Sequence, residues 1–281
     1  MRGKDYLREL TAESANRYLK ILGIQRKAPD SRALEELVFA QLTRVPFENV
    51  SKLYYKRHIA LRGLIDLDRH LEGIERFNLG GTCYANNYYF HLLLRNLGYD
   101  VKLCGADMDN PDVHIINVVT IEGREFLVDG GYGAPFMMPM PLDRDEEFVI
   151  ELGNERYVLN PRDEMGNSRI DFYRDNQLIH GYTAKPMLRD ISHFADVIQD
   201  SFTDQSTFMR GLIYIRFYRN RLVAVRNFAL IEFEGSDMKI RQLSGREELM
   251  GTMEEKFSIP REIISDAINE IIKVNPDWEK P

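Results

Sequence analysis

Cysteine occurs twice in this 281-residue chain, at 83 and 104, and the first stands where a thiol can be put to work. Gly80-Gly81-Thr82 precedes Cys83, and the stretch 83–97 holds no proline or glycine. Tyr84, Tyr88, Leu92 and the leucines at 93 and 94 recur at helical spacing, and Gly98 supplies a stop. Cys83 therefore falls in the first turn of a helix. Unpaired N–H groups and the positive dipole end favour a thiolate there over the ordinary thiol, whose pKa is about 8.5. The glycine pair predicts a tight turn and leaves the approach to sulfur free of side-chain bulk. A thiol that merely fills a gap after a helix-ending Gly-Gly fits the local string equally well. Cys104 has no comparable mount: in the apparent strand 99–105 it shares a face with Lys102 rather than with Val101 and Leu103.

A nucleophilic thiol needs a base. His114 stands at the start of a strand over 113–121, and Asp129 ends a second strand over 124–129, with Glu122-Gly123 as the link. A hairpin about that link brings the two ends together. The carboxylate can then fix the imidazole tautomer and stabilise its charged form. The hairpin alone does not place Cys83 beside them. His91 lies on the Cys83 helix but roughly 12 Å further along the axis, too far for contact. Neither cysteine belongs to a C-x-x-C pair, and no four-ligand zinc set can be assembled, so no metal is expected.

The elements that position these residues change character along the chain. Residues 1–98 read as helical. Leu7, Leu10, Ala15, Tyr18 and Leu19 suggest a first hairpin or broken helix. A second helix follows Pro29-Asp30-Ser31, with Leu34, Leu37, Val38 and Leu42 on its face, and Leu67, Leu71 and Ile74 mark a third. After 98 the period becomes that of strands, at 99–105, 113–121, 124–129, 147–152, 155–159 and 168–173, forming an antiparallel sheet or open barrel. A helix is expected over 191–199 and three strands within 208–235. Ser244 with Glu247 reads as a capping box, and a last helix from Pro260 carries the stripe Ile263, Ile264, Ala267, Ile268, Ile271 and Ile272. That stripe reads as core packed on a sheet, with an oligomer interface, such as a homodimer, as the lesser reading. The expected class is α+β in three parts: a helical domain 1–98 carrying the cysteine, a β-barrel-like domain 99–190 carrying His114 and Asp129, and an α/β lid 191–281.

Composition sets the outer limits. Hydrophobic residues make up 44% and charged residues 29%, with a net charge of −7, which argues against disorder, a membrane span or a nucleic-acid surface. The first residues lack the apolar core of a signal peptide, so a cytoplasmic setting is expected.

Taken together, the segment Val45-Pro46-Phe47-Glu48-Asn49, the Gly-Gly-x-Cys at 80–83 followed by Asn87, the strand opening at His114, and Val128-Asp129 followed by Gly130, Tyr132 and Gly133 resemble the arylamine N-acetyltransferases. The later stretch with Ser201, Phe202, Phe208 and the strands of 212–230 resembles that family's third domain, so the likeness spans nearly the whole chain. It implies a cysteine-protease-like catalytic arrangement with Cys83, His114 and Asp129 as triad. The activated thiolate attacks acetyl-CoA, an acetyl-cysteine forms, CoA leaves, and an arylamine or arylhydrazine takes the acetyl group while His114 handles the proton. Backbone N–H groups near Cys83 are candidates for the oxyanion site. Within this reading Gly131, Tyr132, Gly133, Ser201 and Phe202 are candidates for the CoA side of the cleft, and Phe47, Val113 and Phe202 for the acceptor side. Glu48 and Asn49 are read as loop-fixing residues. Arg216, Arg219 and Arg221 are read as an exposed sheet face rather than a phosphate site.

The sequence departs from the family pattern at Leu79, where arginine is usual, and at Ala85, where Glu or Gln is usual. Two alternatives therefore stand beside the acetyltransferase. One is transglutaminase- or papain-like thiol chemistry on amides, distinguished by its acyl donor. The other is a catalytically weakened relative that binds a small molecule.

Overall fold

The computed structural model describes residues 9–235 and 237–279. The N-terminal helices begin where the sequence supplies caps. In α1 (Ala12–Leu22) the Thr11 hydroxyl accepts the Ser14 N–H, and in α2 (Ser31–Arg44) the Asp30 carboxylate accepts the Ala33 N–H at 2.7 Å. Pro46 ends the helical run, and a two-residue strand β1 (Phe47–Glu48) follows. Then come α3 (Val50–Ile59), α4 (Leu67–Phe77) and α5 (Cys83–Asn96). Every residue of α5 from Cys83 to Leu94 is buried, on all sides of the helix. It is thus the central helix of the N-terminal part, and Gly98 beyond its end adopts φ 91°.

The middle of the chain supplies β2 (Asp100–Asp107), β3 (His114–Ile121), β4 (Arg124–Val128), β5 (Met140–Pro141), β6 (Phe148–Leu152), β7 (Glu155–Leu159), β8 (Ser168–Arg174) and β9 (Gln177–Leu188). Among the described residues these eight strands form one antiparallel, barrel-like sheet in the order β5-β4-β3-β2-β9-β8-β7-β6. Strand β3 is buried on both faces. Ile115 and Val119 join the helical core, while Ile116 and Val118 join the barrel interior with Cys104, Leu127 and Tyr182. The hairpin register pairs Asn117 with Val128 and Ile121 with Arg124, with both Glu122 and Gly123 at positive φ in the turn.

A 3₁₀ turn (Ile191–Phe194) leads into α6 (Ala195–Asp200) and the single turn α7 (Thr207–Arg210). After these come β10 (Ile213–Tyr218), β11 (Arg221–Arg226), β12 (Ala229–Glu234), β13 (Asp237–Gln242), α8 (Arg246–Phe257) and α9 (Arg261–Val274). The second sheet runs β1-β10-β11-β12-β13, so the short strand after Pro46 is its edge. Residues of α3, α8, α9 and this sheet share one core, which holds Leu53, Tyr214, Val225, Met253 and Ile264.

Several expectations need correction. Leu7 lies outside the described residues, and a single helix stands where a hairpin or broken helix was expected. Helix α3 follows Asn49 directly, although the sequence suggested only a break. Four strands were not foreseen: β1, β5, β9 and β13. In β9, Gly181 and Pro186 interrupt the apolar pattern, and β13 is exposed along its whole length, so neither carries a period. The residues 208–210 are helical rather than strand. Glu247 does not cap α8: Gly245 is the N-cap residue, and the Ser244 N–H donates to Glu248 Oε2 at 2.6 Å. The stripe of α9 is buried within the chain against α3 and α8 as well as the sheet, so packing on a sheet alone was too narrow a description. Among the described residues no helix is long and apolar enough to cross a membrane.

Candidate active site

The thiol sits at the first position of α5 behind Thr82, an N-cap residue in extended conformation. The preceding glycines serve a different purpose from the one their type suggests. Neither is at positive φ, so no left-handed turn is involved. Their role is close approach: a Cβ on Gly80 would lie 2.0 Å from the Pro46 carbonyl oxygen. The Gly81 carbonyl accepts the Glu48 N–H at 3.1 Å, and residues 47 and 81 form a parallel bridge. Side chains complete the clamp. Glu48 accepts the Gly80 N–H at 2.9 Å and the Ser51 N–H at 2.8 Å, while Asn86 Nδ2 donates to the Pro46 and Gly81 carbonyls. Burial raises the Glu48 pKa in spite of these donors. Asn49 ties the same segment to the second sheet, donating to the carbonyls of Phe208 and Gly211 and accepting the Ile213 N–H. The loop-fixing roles read for Glu48 and Asn49 are thus met.

The hairpin brings His114 Nε2 to 2.7 Å from Asp129 Oδ2, with both side chains almost wholly excluded from solvent. The Cys83 thiol lies close enough to act on the same ring, and with Nε2 taken by Asp129, Nδ1 is the nitrogen left for it. Asp129 receives three further donors: Tyr182 Oη at 2.8 Å on Oδ2, and Asn87 Nδ2 at 2.8 Å and the Gly131 N–H at 2.9 Å on Oδ1. The Asn87 amide oxygen accepts the Gly130 N–H, and its NH₂ also reaches the Ile115 carbonyl at 2.6 Å. One asparagine on the cysteine helix thereby locks the ends of both catalytic strands to that helix. Burial opposes charge on the His114 ring. The charges of Asp129 and Cys83, with their hydrogen bonds, outweigh it and hold the pKa up at about 10. Burial likewise works against the Asp129 carboxylate, but His114 and the donors from Asn87 and Gly131 keep its pKa below the ordinary value. The result is a buried imidazolium–carboxylate pair at a helix-end thiol. Cys104 is the contrast: it lies in the barrel interior, where burial pushes its pKa up to about 12.

The other residues singled out from the sequence distribute around this centre. Gly131 approaches the nucleophile so closely that a Cβ there would lie 2.6 Å from Cys83 Cα. Tyr132 packs on His114 and Tyr182, and its hydroxyl meets His180. Gly133, at φ 79°, backs onto Phe47, whose ring packs edge-on against Phe208. Val113 is half-buried, and its carbonyl accepts the Tyr84 hydroxyl at 2.9 Å. Ser201 and Phe202 meet Lys52, whose ammonium donates to Ser201 Oγ and lies 3.9 Å from the Phe202 ring centre. His91 is occupied with Asn117 at 3.0 Å. The three arginines are turned to neighbouring side chains: Arg216 donates to Asn78, Arg219 covers Phe39 and Arg221 covers Tyr218.

Two residues of the centre escaped sequence reasoning. Tyr182 lies on β9, which the pattern did not disclose. Lys52 looks like a surface lysine until α3 is seen packed beneath the glycine mount.

A thiol at a helix N-terminus, an imidazole and a buried carboxylate, carried on separate elements, are the parts that thiol-based acyl transfer requires. Comparison with known proteins narrows this. The family profile described as N-acetyltransferase matches residues 30–264, and the chain belongs to that family. Among curated relatives, arylamine N-acetyltransferase 1 of Oryctolagus cuniculus is 30% identical over 126 residues, 42% of each chain. Arylamine N-acetyltransferase 2 of Mus musculus is 24% identical over 223 residues, 67% of this chain and 74% of that protein. The match to the rabbit protein thus spans less than half of its length. Two solved structures share the fold along almost the whole chain. The arylamine N-acetyltransferase from Mycobacterium abscessus has a TM-score of 0.78 at 18% identity, covering 92% of this chain and 94% of the other. That of Mycobacterium marinum, solved in complex with CoA, has a TM-score of 0.76 at 19% identity, covering 92% and 99%.

Proposed function

We propose that the chain transfers an acetyl group from acetyl-CoA to an arylamine or arylhydrazine through an acetyl-cysteine on Cys83. The observation that carries this reading is the buried His114–Asp129 pair at 2.7 Å, with the Cys83 thiol at the start of α5 close enough to act on the same ring. Asp129 fixes the ring so that Nδ1 addresses sulfur. The imidazolium stabilises the thiolate, which attacks the thioester carbonyl. N–H groups in the first turn of α5 are suited to the tetrahedral oxyanion. CoA departs as a thiol, taking up a proton. In the second half-reaction His114, now neutral, accepts the proton of the attacking amine as the C–S bond to Cys83 breaks.

In this reading, residues 1–98 carry the nucleophile, 99–190 carry the base and its carboxylate, and 191–281 act as a lid. Gly131–Gly133 and Ser201–Phe202 are assigned to the CoA side, and Phe47, Val113 and Phe202 to the acceptor side. A reducing cytoplasmic setting suits two free thiols. CoA release is measured across a panel of arylamines with the parent chain and Cys83→Ala. Release that needs both the amine and Cys83 is the expected result. Unchanged release in Cys83→Ala refutes the assigned nucleophile. Labelling of Cys83 from a peptide glutamine, and none from acetyl-CoA, would move the chain to transglutaminase-like chemistry.

A further inference from the structure

His114 stands at an end of its strand, where strands fray. It is the first residue of β3 and pairs with Ala106 of β2, while the ladder to β4 begins only at Asn117. Two hydrogen bonds hold this end to the cysteine helix. Tyr84 Oη donates to the Val113 carbonyl at 2.9 Å, and Asn87 Nδ2 donates to the Ile115 carbonyl at 2.6 Å. Asp112, two residues before His114, is a third anchor, and it reaches across the sheet instead. Its Oδ1 lies 3.0 Å from Lys185 Nζ on β9. Its Oδ2 lies 2.8 Å from His193 Nε2 in the 3₁₀ turn and 3.5 Å from a guanidinium nitrogen of Arg189, just beyond β9. The Asp112 N–H donates to Asp107 Oδ1 at 2.8 Å, and the same oxygen lies 2.6 Å from Lys185 Nζ. The carboxylate can cross β2 because residue 105 is glycine: a Cβ there would lie 2.0 Å from Asp112 Oδ1. Gly105 pairs with Ile115 on one side and with Lys185 on the other, so the bridge spans three neighbouring strands. Asp112 adopts φ 50°, a left-handed conformation that aspartate accepts more readily than most residues. Burial works against its charge, but His193, Lys185 and Arg189 keep its pKa below the ordinary carboxylate value.

We propose that Asp112 is a positioning residue for His114, pinning the start of β3 across β2 to β9 and so holding the imidazole in place for Cys83. This rests on the thiolate–imidazolium reading above. Tyr84 and Asn87 fix the strand end against α5. Asp112 fixes it against β9, the strand that also brings Tyr182 to Asp129. The ring and the groups that hold its carboxylate thereby share one frame. Without the bridge the strand end can shift, and a misplacement of about 1 Å costs such a site roughly a hundredfold in rate.

The test is the pH dependence of Cys83 alkylation by iodoacetamide, read by peptide mapping, in the parent chain, Asp112→Asn and Gly105→Ala. Asparagine keeps the shape and tolerates the left-handed backbone but removes the charge. Gly105→Ala keeps every charge and pushes the carboxylate out of place. An ordinary thiol of pKa about 8.5 is roughly 0.3% ionised at about pH 6, whereas a thiolate paired with imidazolium reacts there at nearly its full rate. The parent should therefore show a nearly flat profile. In both variants the rate at about pH 6 should fall at least about tenfold and climb toward about pH 8.5, with an unchanged circular dichroism spectrum. A rate within about threefold of the parent in either folded variant overturns the proposal, and Gly105→Ala decides it if Asp112→Asn does not fold. A parent that itself reacts only as an ordinary thiol overturns the thiolate reading and the proposal together.

Discussion

Replacing Asp129 by asparagine tests the centre of the site with the smallest change in shape. Asp129 accepts four hydrogen bonds, two on each oxygen. Asn87 Nδ2 and the Gly131 N–H hold Oδ1, so the asparagine oxygen must stay on that side and its NH₂ must take the place of Oδ2. The NH₂ then points at His114 Nε2 and the Tyr182 hydroxyl. It can donate to Nε2, which moves the ring proton to Nδ1, the nitrogen left for Cys83. A neutral ring protonated there cannot accept the thiol proton. By analogy with the serine-protease triad, a wrong tautomer of this kind lowers the rate roughly 10⁴-fold, about 5.4 kcal/mol at 1.36 kcal/mol per decade. Two charge-assisted bonds are lost at about 1.5–3 kcal/mol each, partly recovered by the new amide contact, so stability should fall by about 3 kcal/mol. The rate is read as the burst of CoA release at stoichiometric enzyme and the fold by circular dichroism. The pH profile adds a second signature. His114 in the parent is held up at about 10, so the imidazolium, and with it the burst rate, persists through neutrality and is lost as pH rises through about 10. Without the Asp129 charge that fall moves to lower pH. For stability the signs are opposite for the two partners. The His114 contribution is complete below its unfolded value of about 6.5 and lost as pH rises through about 10. The Asp129 contribution is present above about 3.9 and lost as pH falls through its depressed value. A folded Asp129→Asn with a burst rate within tenfold of the parent, or an unmoved alkaline limb, would refute the reasoning.

Further outcomes follow from the same geometry. Gly131→Ala places a methyl 2.6 Å from Cys83 Cα and 2.7 Å from Asn87 Nδ2, so the nucleophile or its lock must shift. The burst rate should drop about 10²-fold with about 1–3 kcal/mol lost in thermal melts, and a parent-like burst would mean that the loop yields freely. Glu48→Ala leaves the N–H groups of Gly80 and Ser51 without their buried acceptor. The expected loss is about 1–3 kcal/mol per group by denaturant titration, and a change under 0.5 kcal/mol would contradict the clamp. Cys104→Ala should keep the burst rate, and iodoacetamide near neutral pH should label Cys83 in both proteins while leaving Cys104 unmodified.

How far the chain could be read in advance depended on whether an element carries a period of its own. The helix after Cys83, the His114–Asp129 hairpin and α9 all declare themselves, because their apolar residues face one fixed direction or their turn residues are explicit. Strand β9 does not. It runs through Gly181 and Pro186 and leaves its first four residues and its last two exposed, yet it delivers Tyr182 to Asp129. Strand β1 is two residues long and exists only through its partner β10. The pairing of His114 with Asp129 was legible because both lie on one hairpin. Their junction with Cys83 was not, because it depends on Asn87 reaching from α5 to both strands, a contact no local pattern encodes. The glycine pair was assigned to the right place for an incomplete reason: side-chain bulk is excluded, but by the Pro46 carbonyl rather than by a turn.

The two departures at Leu79 and Ala85 acquire a meaning from these contacts. Leu79 is 1% exposed and packs in the core shared by α3, α9 and the second sheet. The carboxyl nearest the mount, Glu48, is satisfied by backbone donors, and its pKa is raised by burial. The clamp on Gly80 is therefore complete without a cation at 79, and a guanidinium there would have to be buried among leucines at a desolvation cost of several kcal/mol. Ala85 lines a cavity with Gly81, Thr82 and Tyr84, and a Cβ on Gly81 would meet its methyl at 3.0 Å. A long polar side chain at 85 would occupy that space. The support of His114 and Asp129 comes instead from the hydrogen bonds of Asn87, Tyr182 and the Gly131 N–H. The departures thus leave the contacts among His114, Asp129 and Asn87 intact, and residue 79 becomes part of the core.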